Sequence, residues 1–223
     1  MDARLETCLS LFVPGDTGAD IGTDHGLLPC AILQRNLCRQ MIFSDISPSA
    51  LDHARHQVRR LALEERAVFR LSDGLDALDR PVCCISITGM GGTHMAELLT
   101  RNPRHLNQTP LVLCAHSDVP VIRRAILRIG YHFTREVLTR DRGRFYIVMR
   151  AEYGHAAQDE DELDFGSLMY HQPSGDLLPY LRRQIQILET QERELSRSAM
   201  PREEETERIR HALDFYRKKE ALL

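Results

Sequence analysis

Five short apolar runs, four of them followed by segments of helical spacing, fill residues 18–129. The runs are Gly18–Ile21, Gln40–Ser44, Ala67–Leu71, Val82–Thr88 and Leu111–Ala115. The intervening helical segments lie near 25–36, 49–61, 93–101 and 119–129. Strands that alternate with helices predict right-handed crossovers and a parallel sheet, so the chain is read as an α/β fold. The rhythm then changes. Residues 131–139 and 144–151 are strand-like and are joined by Arg140-Asp141-Arg142-Gly143, too short for a helix and carrying a turn glycine. That joint predicts an antiparallel hairpin at the end of the sheet. A leading helix is expected over residues 3–12, with Leu5, Leu9 and Phe12 on one face and Val13-Pro14-Gly15 as its stop.

Beyond this α/β domain, residues 1–152, the remaining 153–223 read as a linker and a helical domain. Residues 153–176 are polar and hold Gly154, Gly166, Pro173 and Gly175, with one short ordered piece expected around Phe165–Tyr170. Leu181, Ile185, Leu188 and Leu195 then follow a coiled-coil-like stripe. The pattern breaks from Ser196 to Pro201. A second helix begins there, with Glu203, Glu204 and Glu205 against its positive end and Ile209, Leu213, Tyr216 and Leu223 on its apolar face. Two helices with a short joint predict an antiparallel hairpin.

Charge narrows the list of partners. The net charge of −3 gives no global attraction for nucleic acid. Residues 1–152 hold 19 arginines against 17 carboxylates, whereas residues 153–223 hold 10 basic against 15 acidic side chains. A phosphate grip would therefore be local; in the second domain it falls to Arg182, Arg183, Arg193 and Arg197. Cys8, Cys30, Cys38, Cys83, Cys84 and Cys114 show no zinc spacing and read as small hydrophobes in a reducing compartment. No apolar run approaches a membrane span and no signal-peptide pattern opens the chain, so a cytoplasmic protein with no membrane association is expected.

The chemistry sits at the ends of the strands. The first run leads into Ala19-Asp20-Ile21-Gly22-Thr23-Asp24-His25-Gly26, where glycines let backbone approach a ligand. This is not the dinucleotide Gly-x-Gly-x-x-Gly. Asp24 replaces a central glycine, a poor neighbour for pyrophosphate and a good one for a cationic ligand. Asp45 and Ile46 follow the second run, where a carboxylate accepts ribose hydroxyls or, alternatively, caps the next helix. Asp73-Gly74 follows the third, where a carboxylate meets an adenine or simply makes a turn. Three acids on three successive strand ends mark the edge where open parallel sheets bind ligands, and together they point to an adenosine-bearing ligand. The fourth run ends in Thr88-Gly89-Met90-Gly91-Gly92, whose exposed amides leave room for a flat group. His116 and Asp118 follow the fifth. His53 and His56 read as a solvated helix face, and no cluster suggests a metal.

These residues resemble one family, the bacterial tRNA (adenine-22-N1)-methyltransferases. Asp20 to Pro29 is similar to its opening motif, including Asp24-His25 and Leu28-Pro29. Ile87-Thr88-Gly89-Met90-Gly91-Gly92 is similar to its second signature, and Arg142-Gly143-Arg144-Phe145-Tyr146 to its Gly-Lys-x-Tyr hairpin. The resemblance spans essentially the whole chain. It implies a Rossmann-like class I methyltransferase sheet plus a C-terminal helical hairpin. It also implies S-adenosyl-L-methionine as cofactor, held by Asp20, Gly22, Thr23, Asp24, His25, Asp45, Ile46, Asp73, Gly74, Gly89, Met90, Gly91 and Gly92. The implied reaction is methyl transfer to N1 of an adenine in tRNA, with no metal. Asp24, His25 and His116 are the candidate catalytic residues, and a homodimer is a further expectation. Where the family usually has Gln-Pro-Asn after the fifth strand, this chain has Cys114-Ala115-His116, so another RNA or a small molecule as acceptor, or cofactor binding without catalysis, stays open.

Overall fold

The computed structural model describes residues 2–197 and 203–223. The chain divides into two compact units, Met1–Leu168 and Met169–Leu223. Residues 153–168 thus group with the first unit, beyond the boundary expected after residue 152.

The first unit is built on seven strands: β1 Gly15–Ile21, β2 Cys38–Asp45, β3 Ala67–Leu71, β4 Ile85–Thr88, β5 Leu111–Cys114, β6 Tyr131–Asp141 and β7 Arg144–Tyr153. They lie in the order β3-β2-β1-β4-β5-β7-β6. The pairs among β1–β5 are parallel, and β7 is antiparallel to both β5 and β6, as the hairpin pattern predicts. The hairpin turns on Arg142 and Gly143, with φ of 45° and 79°. Two consecutive positive φ values match the strand twist of a two-residue turn.

Strand bounds differ from expectation at two places. β1 starts at Gly15, three residues before its apolar run, because pairing to Cys38 carries Asp16 and Thr17 into the sheet. Conversely β4 proper begins only at Ile85, although Cys83 already donates its N–H to the Thr17 carbonyl at 2.8 Å. Apolar content marks burial, and burial and regular pairing do not begin at the same residue.

Among the described residues the unit also has the α-helices α1 Ala3–Leu11, α2 Leu27–Gln34, α3 Pro48–Arg60, α4 Gly92–Arg101, α5 Val119–Arg128 and α6 Glu160–Phe165, with three short 3-10 turns between them. α1 is capped by Asp2, whose Oδ1 accepts from the Leu5 N–H at 2.8 Å, and it buries Leu5, Cys8 and Leu9. α3 is capped by Ser47 with Pro48 in its first turn. One core cluster joins α1, α2 and α3 to the sheet through Leu9, Phe12, Ile32, Leu33, Met41, Phe43 and Val58.

α6 lies inside the stretch read as a polar linker. Asp159 and Glu162 form its capping box. It is docked by a buried ion pair between α5 and β6, Arg123 Nε to Glu136 Oε1 at 2.8 Å, with both side chains 2% exposed. Arg123 Nη1 also donates to the carbonyls of Leu163 and Asp164, and Glu136 Oε2 accepts from the amides of Ser167 and Leu168. A buried pair needs such extra partners to offset its desolvation, so the segment and the pair support each other.

The second unit takes in all but the first residue of α7 Leu168–His171, together with α8 Leu177–Ser196 and α9 Glu203–Glu220. The helices run antiparallel, tied by Arg182–Glu220, Glu189–Arg217 and Glu192–Arg210. Leu181, Ile209, Leu213 and Tyr216 are buried, and Lys219 lies over the rings of Tyr170 and Phe215. The expected break from Ser196 to Pro201 falls mostly on 198–202, outside the described residues. Two of the arginines proposed for phosphate are engaged within the unit: Arg182 with Glu220, and Arg193 with the Glu189 carbonyl and Thr190.

Candidate functional site

The strand order reverses between β1 and β4, and the loops that leave these two strands part around a cavity of about 480 Å³. Open α/β sheets bind ligands at this switch point, outside the carboxyl ends of the strands. The cavity is lined from β1 by Ile21, Gly22 and Asp24, and from β2 by Asp45 and Ile46. Asp73 and Gly74 follow β3, while Thr88, Gly89 and Met90 follow β4. Eight of the residues expected from the sequence to hold cofactor therefore meet at one wall: Gly22, Asp24, Asp45, Ile46, Asp73, Gly74, Gly89 and Met90.

Asp45 organises the loops. Its Oδ2 accepts from the Asp24 N–H at 3.1 Å and its Oδ1 from the Ser47 N–H at 2.9 Å. A carboxylate has lone pairs for about four acceptances, so two remain for hydroxyls in the cavity. Gly22 turns the chain with φ of 72°, and a Cβ there would stand 2.9 Å from the Met90 methyl. A side chain at that position is thus disfavoured both by conformation and by the closeness of the β4 loop. Asp73 is held by Arg101 of α4, Nη1 to Oδ2 at 2.5 Å.

The other expected residues stand back from the wall. Asp20 is 3% exposed and accepts from the Ser86 hydroxyl of β4 at 2.5 Å. Burial pushes its pKa up to about 6, against the opposing pull of the hydrogen bond from Ser86. Thr23 is buried, and its N–H donates to the Ser44 carbonyl. Gly91 caps α4. Gly92 starts that helix against the carbonyls of Ser117 and Asp118, so close that any Cβ would collide with them. These positions shape the loops rather than line the cavity.

His53 is exposed, as the sequence reading expects, and it also lines the cavity with Ser47, Ser49 and Ala50. Helical spacing carries the signal: 49, 50 and 53 share one face of α3, the face that starts beside Asp45. His94 and Leu98 of α4 line the opposite side. The His53 ring stacks on that of His25, with centroids 4.9 Å apart and planes 16° from parallel. Asp24 Oδ2 lies 3.7 Å from His25 Nε2, and ligand atoms of Asp24, His25 and His53 come within 4.8 Å of one another. This cluster, invisible from spacing, is the one group of potential metal ligands among the described residues. Imidazole lone pairs lie in the ring plane, so two near-parallel stacked rings do not converge on one ion.

His116 is exposed beyond β5, and its N–H donates to the Met90 carbonyl at 3.0 Å. That bond ties the fifth-strand loop to the glycine loop lining the cavity.

Chemically, the wall presents three carboxylates, Asp24, Asp45 and Asp73, in a cavity of ordinary small-molecule size. The donor set fits a ligand that carries hydroxyls at one place and positive charge at another. It fits S-adenosylmethionine, with its ribose, ammonium and sulfonium, far better than a nucleotide bearing phosphates.

Comparison with known proteins agrees. A family model described as a methyltransferase domain matches residues 1–149. A tRNA (adenine(22)-N(1))-methyltransferase of Bacillus subtilis is 30% identical over 173 residues, 76% of this chain and 73% of that one. Among solved structures, a Streptococcus pneumoniae protein described as a putative tRNA (m1A22) methyltransferase superposes with a TM-score of 0.90 at 22% identity, over 99% of both chains. The same protein in complex with S-adenosyl-L-methionine gives a TM-score of 0.86 at 23% identity, over 97% of this chain and 98% of that one.

Proposed function

The chain belongs to the bacterial tRNA (adenine-22-N1)-methyltransferase family, and from that membership we propose that it transfers the methyl group of S-adenosylmethionine to N1 of an adenine in tRNA. The observation that carries the reading is the convergence of Asp24, Asp45 and Asp73 on one cavity at the β1–β4 switch point.

When bound, S-adenosylmethionine supplies an electrophilic methyl group on a sulfonium. Asp45 would accept the ribose hydroxyls with the two acceptor sites that the Asp24 and Ser47 amides leave free. Asp73, fixed by Arg101, would accept from the adenine amino group. Asp24 would face the cationic amino-acid end. Adenine N1 carries a lone pair, so no residue has to remove a proton before attack; the protein's work is to position the base and exclude water. The Watson–Crick edge is reached only when the base leaves its stack. Methylated adenine is cationic until it loses a proton, and the Asp24 carboxylate favours that charge. His116, at the lip beside Met90, is the group proposed to contact the base where the family usually has Asn.

No described helix is long and apolar enough to cross a membrane; a cytoplasmic location is part of the proposal, supported by a tRNA substrate. A second copy of the chain is the proposed partner of the acidic helical hairpin; a monomer in sedimentation velocity would contradict it. The function is tested by incubating the protein with isotopically labelled cofactor and bulk tRNA and digesting the product to nucleosides. Labelled N1-methyladenosine is expected; label in another nucleoside moves the acceptor.

A further inference from the structure

Beside the cofactor cavity, side chains from three separate elements meet. Antiparallel pairing brings the start of β7 to the edge where β5 ends, so Tyr146 stands next to the loop carrying His116. The His116 ring lies 6.1 Å from that of Tyr146, at 65° to it. A Cβ on Gly89 would come 4.0 Å from His116 Nε2, so the imidazole adjoins the glycine loop of the cavity wall. From the other side, Arg4 in the first turn of α1 sets its guanidinium carbon 5.6 Å from the Tyr146 ring centroid.

Arg4 is unusual for a residue with a purely structural task. Its side chain is 17% exposed, and among the described residues its one ion pair is a long 3.9 Å contact to Asp2 and its buried Nη1 has no hydrogen-bond partner. Burying a guanidinium so incompletely satisfied is costly, and the structure offsets that by setting it against the Cys114 side chain and the ring of Tyr146. Tyr146 in turn is half-buried, packing partly against the core cluster at the start of its strand.

Two rings set at 65° form a corner. A flat base can lie on one while its edge meets the other, and the corner opens beside Gly89 and Met90. We propose that Tyr146 is the platform on which the acceptor adenine stacks, that His116 bounds it on the cofactor side, and that Arg4 is a positioning residue holding the Tyr146 ring. This rests on the tRNA-methyltransferase reading and adds where the base docks. An unstacked base loses its neighbours in the RNA, and an aromatic face restores that contact at any base.

The test is steady-state kinetics on tRNA for Tyr146→Phe, Tyr146→Leu, Arg4→Lys and Arg4→Met, with cofactor affinity and thermal midpoint measured on each. Tyr146→Phe should keep near wild-type kcat/KM for tRNA. Tyr146→Leu should lose roughly ten- to a hundredfold, the worth of one base–aromatic stack, with unchanged cofactor affinity. Arg4→Met should lose severalfold, and Arg4→Lys, which keeps a cation over the ring, should recover most of it. Wild-type kcat/KM in Tyr146→Leu overturns the platform, as does a loss matched by weaker cofactor binding. Should Tyr146→Leu fail to fold, the Arg4 pair decides: equal kcat/KM in Arg4→Met and wild type overturns the proposal. A wild-type protein that makes no N1-methyladenosine sinks the functional reading first, an outcome distinct from active enzyme indifferent to Tyr146.

Discussion

Ser86 on β4 donates its hydroxyl to Asp20 on β1 across the strand boundary where the sheet reverses direction, at 2.5 Å and out of contact with solvent. The pair lies directly beneath the glycine loops, so the acid at the head of the methyltransferase-like motif acts as a brace for the cavity rather than as part of its wall.

That burial has a pH signature. The pKa of Asp20 is raised to about 6 by burial. A carboxyl whose folded value exceeds its unfolded one stabilises the fold at pH below the unfolded value of roughly 4, and that contribution is lost as pH rises through 6. About two units correspond to at most about 3 kcal/mol. Asp20→Asn should therefore flatten the stability profile between pH 4 and 6 relative to wild type in denaturant titrations. Parallel profiles would show that Asp20 does not titrate there.

Asp45 serves two amides and, on the proposed function, two ribose hydroxyls. Asp45→Ala should weaken S-adenosylmethionine and S-adenosylhomocysteine alike by about 1.5–3 kcal/mol, the worth of a hydrogen bond to a charged group. Isothermal calorimetry reads this directly; unchanged affinity removes Asp45 from the site.

The Arg123–Glu136 pair makes residues 160–168 part of the first unit's fold. A fragment ending at Leu168 should fold and bind cofactor. One ending at Glu152 strips the pair of its four backbone partners and should be markedly less stable. Glu136→Gln, which leaves Arg123 buried without its counter-charge, should cost about 3–5 kcal/mol. Urea unfolding of the two fragments and the variant checks both statements, and equal midpoints for the fragments would contradict them.

His116 replaces the Asn that the family usually carries. His116→Ala should lower turnover on tRNA while leaving cofactor affinity at the wild-type value, since the imidazole adjoins the cavity without lining it. His116→Asn should retain more activity than His116→Ala, because an amide also donates and accepts. Wild-type turnover in both makes His116 a bystander.

The alternating strands and helices were legible because a sheet covered on both faces writes its strands as unbroken apolar runs. The carboxylates were legible because the topology sends every parallel strand end to one edge. What stayed hidden depends on distant partners. α6 contains Glu160, Asp161, Glu162 and Asp164, and only Leu163 and Phe165 are apolar; its reason to dock is a pair formed by residues 123 and 136. Its capping box, Asp159 and Glu162, was the local clue. The place of the exposed His53 at the cavity stayed hidden because spacing on α3 does not say what the helix faces until Asp45 fixes where it starts. Asp20 looked like a ligand for the opposite reason: sequence marks the strand end but not the depth of the side chain.

The most direct test is to map the methylated position on a tRNA transcript made without modifications, after incubation with the protein and S-adenosylmethionine. N1-methyladenosine blocks primer extension and is identified by mass spectrometry of nuclease fragments. A single N1-methyladenosine at position 22, with one S-adenosylhomocysteine released per methyl group, is the predicted result. Cofactor turnover that leaves adenine 22 unmodified, or methylation confined to another nucleotide, would contradict the account.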